Sequence, residues 1–540
     1  MIRWSTLGLL FGLLAAGVLY DRVDFAPEPD GFPVQDRVLT PALAEPAPLS
    51  NVWFCPVGSG DVGGYATHEV AISNIGTEPA IANVDLITES GPGPGLRFEI
   101  APRSTEVVDL AALDGSANLG AVIEVVDGVG VVGHSVMTAQ GVTQGPCATE
   151  ASESWYFADG VTTRDSVEYL ALLNPFPEDV VFDVTFQAAS RTVVPQALQS
   201  AVVPAQSVRV LNVGDFVTRT DHIATSIQTI QGQLVVERLQ VFDGTLGPRG
   251  AALQLGVADP AGQWSFPAGR VHEGGDHRVV IFNPTSDQAE VDLEFELDPA
   301  DRASYGLVPI EATVLPGRFV VLDLAQTLAG YGLPLPYDFG LSVRSANGVP
   351  VVVERWQVNP RIDTSLIGAG GAEARIGTSF NGAFGFAASM TMRQDGQTEE
   401  VPEEDLPPAT PVASTQPSAS VGVASSRGVE INALSWVIPW VSFEVGEQPI
   451  GTDSTMVIAT GAEGTLVEIR VVVAGELLPP VRASIPGSGY VAVPVEAAVA
   501  GAPLLITADQ PVNVELQTVV ADTSLAVIAA VPVIDASEGS

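Results

Sequence analysis

The chain reads as an all-β protein, a tandem row of immunoglobulin- or fibronectin-like β-sandwich domains behind one N-terminal transmembrane helix. Three observations predict this. First, Val235-Val236-Glu237-Arg238-Leu239-Gln240-Val241 returns as Val352-Val353-Glu354-Arg355-Trp356-Gln357-Val358, with paler copies at Val131-Val132-Gly133-His134 and Val512-Asn513-Val514-Glu515. Second, each copy follows a turn (Gly128, Gly232, Gly348, Asp509-Gln510-Pro511), and short apolar bursts after Gly or Pro turns read as strands. Third, an opening tryptophan recurs at Trp53, Trp155 and Trp264, 102 and 109 residues apart. About seven strands per unit of roughly one hundred residues is sandwich arithmetic; a propeller blade would use about four strands in half that length.

Residues 1–3 are expected in the cytoplasm. The apolar run from Trp4 to Tyr20 follows Arg3 and is succeeded by Asp21, Arg22 and Asp24 instead of a small-x-small cleavage site, which favours an uncleaved anchor over 4–20. The alternative is secretion after cleavage. Residues 21–50 carry six prolines without periodicity and read as a tether.

Four units follow, at 51–150, 151–260, 261–375 and 431–540. Each pairs its tryptophan (Trp53, Trp155, Trp264 and, in the last, Trp440 beside Trp436) with a strand ending on a turn at Asn74, Asn174 or Asn283. Asn suits such turns because it tolerates unusual backbone angles. Thr460 replaces it in the fourth unit. An irregular segment, 376–393, precedes an acidic, Pro/Ser-rich linker, 394–430, whose composition argues for disorder. Four like-sized units imply independent cores and flat surfaces.

Net charge is −41, from 23 basic residues against 64 acidic, and every basic residue is arginine. Such a surface repels nucleic acid. Cys55 and Cys147 flank the first unit and are expected to form a disulfide beyond the membrane, worth about 4–5 kcal/mol by chain entropy. His68, His134, His222, His272 and His277 are scattered; only His272 and His277 are close, with Glu273 and Asp276, and that set falls short of a metal site. No nucleophile elbow, zinc-protease helix or phosphate loop occurs, so no catalytic residue, metal or cofactor is expected. The dipeptides Glu237-Arg238 and Glu354-Arg355 are surface candidates. Strand neighbours point to opposite faces, so the pair cannot share one core; one member is expected in solvent and the other paired across the sheet.

On Trp53-Phe54-Cys55-Pro56, Trp155-Tyr156-Phe157-Ala158-Asp159-Gly160 and the Asn174-Pro175 turn, the region from residue 50 onward resembles an uncharacterised family of actinobacterial envelope proteins that carry one N-terminal hydrophobic segment. Thr460 and the long acidic insert depart from that pattern. The resemblance implies a surface role without naming an activity. The expected function is therefore a membrane-anchored, non-enzymatic envelope protein presenting its units to wall polysaccharide or an envelope protein. The alternatives are an exported polysaccharide-active enzyme and an accessory subunit of an envelope or secretion complex.

Overall fold

The computed structural model describes residues 41–45, 50–358 and 423–535, apart from gaps at 62–63, 272–275, 298–300, 302–303, 335–336, 431, 440–443, 446–447, 450–451, 463, 474, 486–488, 496–500 and 521–523. The expected anchor (4–20), the irregular segment (376–393), Trp440 and His272 lie outside the described residues.

The described chain is all-β, with several antiparallel sheets, no closed barrel and a short α-helix, Leu324–Gly330, capped by the Asp323 carboxylate accepting from Gln326 N at 2.9 Å. Each repeat builds two sheets in one strand order. In the first, Ser50–Cys55, Leu119–Val126, Ala80–Thr88 and Gly91–Ile100 form one sheet, and Ser104–Asp109, Thr67–Asn74, Gly130–Thr138 and Gly141–Pro146 the other. The second repeat pairs Ser154–Phe157, Ile223–Gln231 and Val180–Ala188 in one sheet, and Ser207–Asn212, Ser166–Asn174, Val235–Asp243 and Arg249–Leu255 in the other. The third follows suit with Gln263–Val271, Tyr337–Ser345, Ala289–Glu296 and Ile310–Val314, then Arg318–Asp323, Asp276–Asn283, Val352–Val358 and Val423–Arg427. In the fourth, Leu504–Val520 serves both sheets. Its first part pairs with Ala433–Ile438 and Thr465–Val473, and its second with Thr452–Thr460 and Ser524–Ala529.

Sequence pattern explains which faces are covered. Val180–Ala188 alternates buried and half-buried residues over most of its length, as a strand with one solvated face does. Val352–Val358 is buried at every position. Such a strand must be packed on both faces, and here the second face belongs to the next repeat. The expectation of independent cores is corrected accordingly. Phe54, Ile87 and Val136 of the first repeat join the core of the second around Trp155 and Leu172, and Val437 and Val531 of the fourth join that of the first around Trp53 and Ile123. The last strands close a circuit: Arg249–Leu255 lies against both Gly141–Pro146 and Val423–Arg427, and Ser524–Ala529 lies against the same two. Leu39–Ala536 form one compact unit.

Two boundaries also move. Val423–Arg427, inside the stretch expected to be a disordered linker (394–430), pairs with Val352–Val358 and completes the third repeat beyond its expected end at 375. Its first four residues, Val423 to Ser426, are small and buried, and Arg427 donates to the Gly256 carbonyl at 3.2 Å. Within the expected tether (21–50), Leu43–Glu45 pairs in parallel with residues 533–535, and Leu43 is buried in the first core.

Candidate functional site: the buried joints between repeats

The recurring tryptophan and asparagine are structural. Trp155, Trp264 and Trp436 are buried and each donates Nε1–H to the carbonyl three residues before the glutamate of the Val-Val-Glu motif: Leu234, Val351 and Val512, all at 2.9 Å. Trp436 therefore holds the equivalent position in the fourth repeat, and Trp440, expected there, lies outside the described residues. In the first, Asn51 takes the equivalent Gly130 carbonyl at 2.8 Å, and Trp53 Nε1 has no hydrogen-bond partner among the described residues. Asn74, Asn174 and Asn283 are fully buried. Each accepts from the N–H two residues on at 3.0 Å and donates to the carbonyl four residues on, at 2.8, 2.7 and 2.7 Å. Thr460 keeps the acceptor role, from Ala462 N at 3.1 Å, and donates to Pro511 O at 3.0 Å.

Glu237, Arg238, Glu354 and Arg355 are not at the surface; none is more than 1% exposed. Each pair does point to opposite faces, but both faces are covered. Register fixes the equivalences. Gly133, Glu237, Glu354 and Glu515 stand opposite Ala71, Ala171, Val280 and Val457, and His134, Arg238, Arg355 and Leu516 occupy the next position. The side chain at the second position of one repeat meets the glutamate of the next. His134 Nε2 lies 2.9 Å from Glu237, Arg238 donates to Glu354 at 2.9 Å, and Arg355 donates to Glu515 at 2.6 Å. Where the fourth repeat meets the first, the same two positions hold Leu516 and Gly133, both uncharged. A Cβ on Gly133 would stand 3.1 Å from Pro439 of the fourth repeat.

The joint between the second and third repeats is the most charged. Glu354 also accepts from Ala158 N (2.8 Å) and Asp159 N (3.3 Å), so the backbone of the Phe157-Ala158-Asp159-Gly160 motif grips the acid of the following repeat. Arg238 donates to the Asp159 carbonyl and to Gln254 (3.0 Å), and lies over the rings of Phe157 and Trp356. Asp159 itself pairs with His222 at 3.0 Å and Arg278 at 3.2 Å. Behind them Glu168 is fully buried, and neither carboxylate oxygen has a hydrogen-bond partner among the described residues. Burial pushes its pKa up to about 8, with Arg238 pulling the other way. Burial also raises Glu354, again opposed by Arg238.

At the joint between the first and second repeats, His68 occupies the position of Glu168. Its Nε2 lies 3.0 Å from His134 Nδ1, giving a buried chain from His68 through His134 to Glu237. Burial, and then His134, lowers the His68 pKa well below the ordinary value. The third repeat has His277 there, its Nδ1 3.0 Å from the Arg270 carbonyl. The glycine five residues after each tryptophan now has a reason. A Cβ on Gly58 would meet His68 at 2.3 Å and one on Gly160 would meet Glu168 at 2.4 Å, while one on Gly269 would meet the Phe339 ring at 2.7 Å and His277 at 3.2 Å.

Cys55 and Cys147 form the expected disulfide. Their sulfurs lie within 4.8 Å of a His134 ring nitrogen, but bonded sulfurs offer no thiolate, so this trio is not a metal site. His272 and Glu273 lie outside the described residues, so the expectation for that loop lies there too.

Comparison with known proteins gives one partial match, to a family without an assigned function. A model of a family of unknown function (DUF5719) matches residues 131–298, which run from the last strands of the first repeat into the third. No curated protein matches. Among solved structures, Thermotoga maritima 1070 is 15% identical with a TM-score of 0.18, over 20% of this chain and 97% of its own. The Streptomyces avermitilis α-L-rhamnosidase complexed with L-rhamnose is 11% identical with a TM-score of 0.14, over 61% of this chain and 45% of its own. A tetra-tandem repeat in the extending region of a large adhesion protein is 10% identical with a TM-score of 0.09, over 90% of this chain and all of its own. Likenesses this low carry no argument about activity.

Proposed function

We propose that the chain is an extracytoplasmic protein of the bacterial envelope, held by an anchor over residues 4–20, whose four immunoglobulin- or fibronectin-like sandwiches form a non-enzymatic scaffold for wall polysaccharide or an envelope protein. One observation carries this reading: the Glu-Arg charges that recur in the second and third repeats are consumed in joining repeats, Arg238 to Glu354 and Arg355 to Glu515. A buried ion pair between neighbours fixes their relative placement, as a scaffold requires. The Cys55–Cys147 bridge suits an oxidising compartment.

The test is a pull-down with residues 39–540 against purified wall fractions and solubilised envelope proteins. Saturable retention of one polymer or one protein is expected; turnover of a wall polysaccharide by the same material would favour an enzyme instead. N-terminal sequencing of the mature protein is expected to recover the first 20 residues, and a start near residue 21 or 45 would remove the anchor.

A further inference from the structure

We infer that the point where the last strands of the four repeats meet is a binding site for a small monovalent anion, a halide or a carboxylate. These strands, Gly141–Pro146, Arg249–Leu255, Val423–Arg427 and Ser524–Ala529, pack side by side, each against at least two of the others. Beside them lies a cavity of about 40 Å³, and every one of the four contributes to its wall: Gln144, then Gln254, then Ser426 and Arg427, then Val527. A water molecule needs about 10–15 Å³ of such space, so the cavity has room for a halide or the head of a small acid and for little more.

The chemistry of the wall selects the ligand. Among the described residues no acid lines it, although the chain carries 64 acidic residues against 23 basic, and its one charged side chain is Arg427. Glu354, opposite Arg427 in the strand pair, is held by Arg238 at 2.9 Å, and Glu430, which acts on Arg427 through its charge, is not part of the wall. Gln254 and Ser426 are buried, and Gln254 Nε2 and Ser426 Oγ have no hydrogen-bond partner among the described residues. The orientation of the Gln254 amide is set by its other end, where Oε1 accepts from Arg238 at 3.0 Å, so it is the N–H₂ group that is left over. An amide N–H, a hydroxyl and a guanidinium together offer donors to a negative charge. Gln144 Oε1, also buried, is the one acceptor left over, and turning that amide over presents its N–H₂ group instead. Pro146, Leu253, Leu255 and Val527 make the rest of the wall largely apolar, which disfavours a doubly charged, strongly hydrated ion. The net charge of −41 opposes any anion, but at physiological ionic strength charges more than about 8 Å away are largely screened, so the arginine at the wall prevails. An anion held by Gln254 and Ser426 ties the second repeat to the third beside the Arg238–Glu354 joint, since Arg238 rests on the same wall through Gln254 and Ser425.

The experiment follows thermal unfolding of the full-length chain at constant ionic strength while sodium chloride replaces sodium gluconate, whose anion is too large for the cavity. A ligand of the folded state stabilises with the logarithm of its concentration, so Tm is expected to rise by about 2 °C for each tenfold of chloride above its Kd, and acetate should act alike. Ser426→Ala and Arg427→Gln should each lose most of that rise, whereas a general salt effect would be the same in all three chains. Crystals soaked in bromide should show its anomalous signal beside Gln254 Nε2 and Ser426 Oγ. The inference is overturned if Tm does not respond to chloride, if both variants respond as the wild type does, or if the cavity holds only water while bromide sits on the outer surface, an adventitious ion only.

Discussion

Two joints of this molecule use the same three positions with different chemistry. Between the first and second repeats the set is His68, His134 and Glu237; between the second and third it is Glu168, Arg238 and Glu354. Arginine stays charged throughout the accessible pH range, so the second joint always holds a cation, and its adaptable member is the buried acid. The first joint has no permanent cation. It is held by a chain of two imidazoles ending on the Glu237 side chain, and its adaptable member is a histidine. The same backbone thus accepts either solution, and the two joints should fail in opposite directions of pH.

Breaking the arginine joint should have the largest effect. Arg238→Met leaves Glu354 buried without its cation, and a loss of about 3–5 kcal/mol in denaturant unfolding is expected. Adding Glu354→Met should recover part of it, since it removes the stranded acid but leaves the Ala158 and Asp159 N–H groups without their acceptor; a double variant less stable than Arg238→Met alone would mean that the stranded acid is not the source of the loss.

Glu168→Gln sharpens the comparison. The folded pKa of Glu168, about 8, lies above its unfolded value of 4.5, so between them the folded state holds the extra proton and stability falls as pH rises. The slope contributed is at most about 1.4 kcal/mol per pH unit, complete by the time pH passes the folded pKa. Glu168→Gln should flatten that alkaline loss in thermal unfolding measured from pH 5 to 8.5.

His134→Leu should cost about 1.5–3 kcal/mol by stranding Glu237, with partial rescue by Glu237→Gln. His68 has the opposite sign from Glu168. Its folded pKa is depressed, so the unfolded chain binds the proton first and stability is lost as pH falls below the ordinary histidine value of 6.5. His68→Gln should remove that acid-side loss if the protein still folds, while leaving the alkaline slope of Glu168 in place.

The smallest expected effect is a gain. Thr460→Asn restores the donor that the other three repeats aim at the carbonyl four residues on, and should add about 0.5–1 kcal/mol, read as a small rise in Tm.

Much of this was legible in the residues. The strand repeat, the tryptophans of the first three units, the turn asparagines and the disulfide were legible in the sequence and were not overridden by tertiary packing. The joints did not. A strand alternating Glu and Arg looks half-solvated because periodicity reports a face, not what covers it, and the second covering layer comes from a repeat a hundred residues away. A signal was nevertheless present: Glu and Arg stand in register in two repeats, while the positions that meet at the closure, Gly133 and Leu516, are both uncharged. The glycines at 58, 160 and 269 were likewise visible as a pattern, but their reason needs the side chains of His68, Glu168, and Phe339 with His277. Val423–Arg427 was obscured by its neighbours, since a five-residue strand at the end of a Pro/Ser-rich stretch has too little length to stand against the composition around it.

The most direct test of the joint is a double-mutant cycle by denaturant unfolding, comparing Arg238 with Glu354, which lie in different repeats, and Arg238 with Glu237, its neighbour in sequence. A coupling of about 1–3 kcal/mol for the first pair and within about 0.5 kcal/mol of zero for the second is expected. The reverse ranking, or no coupling between Arg238 and Glu354, would contradict the claim that these recurring charges exist to join one repeat to the next.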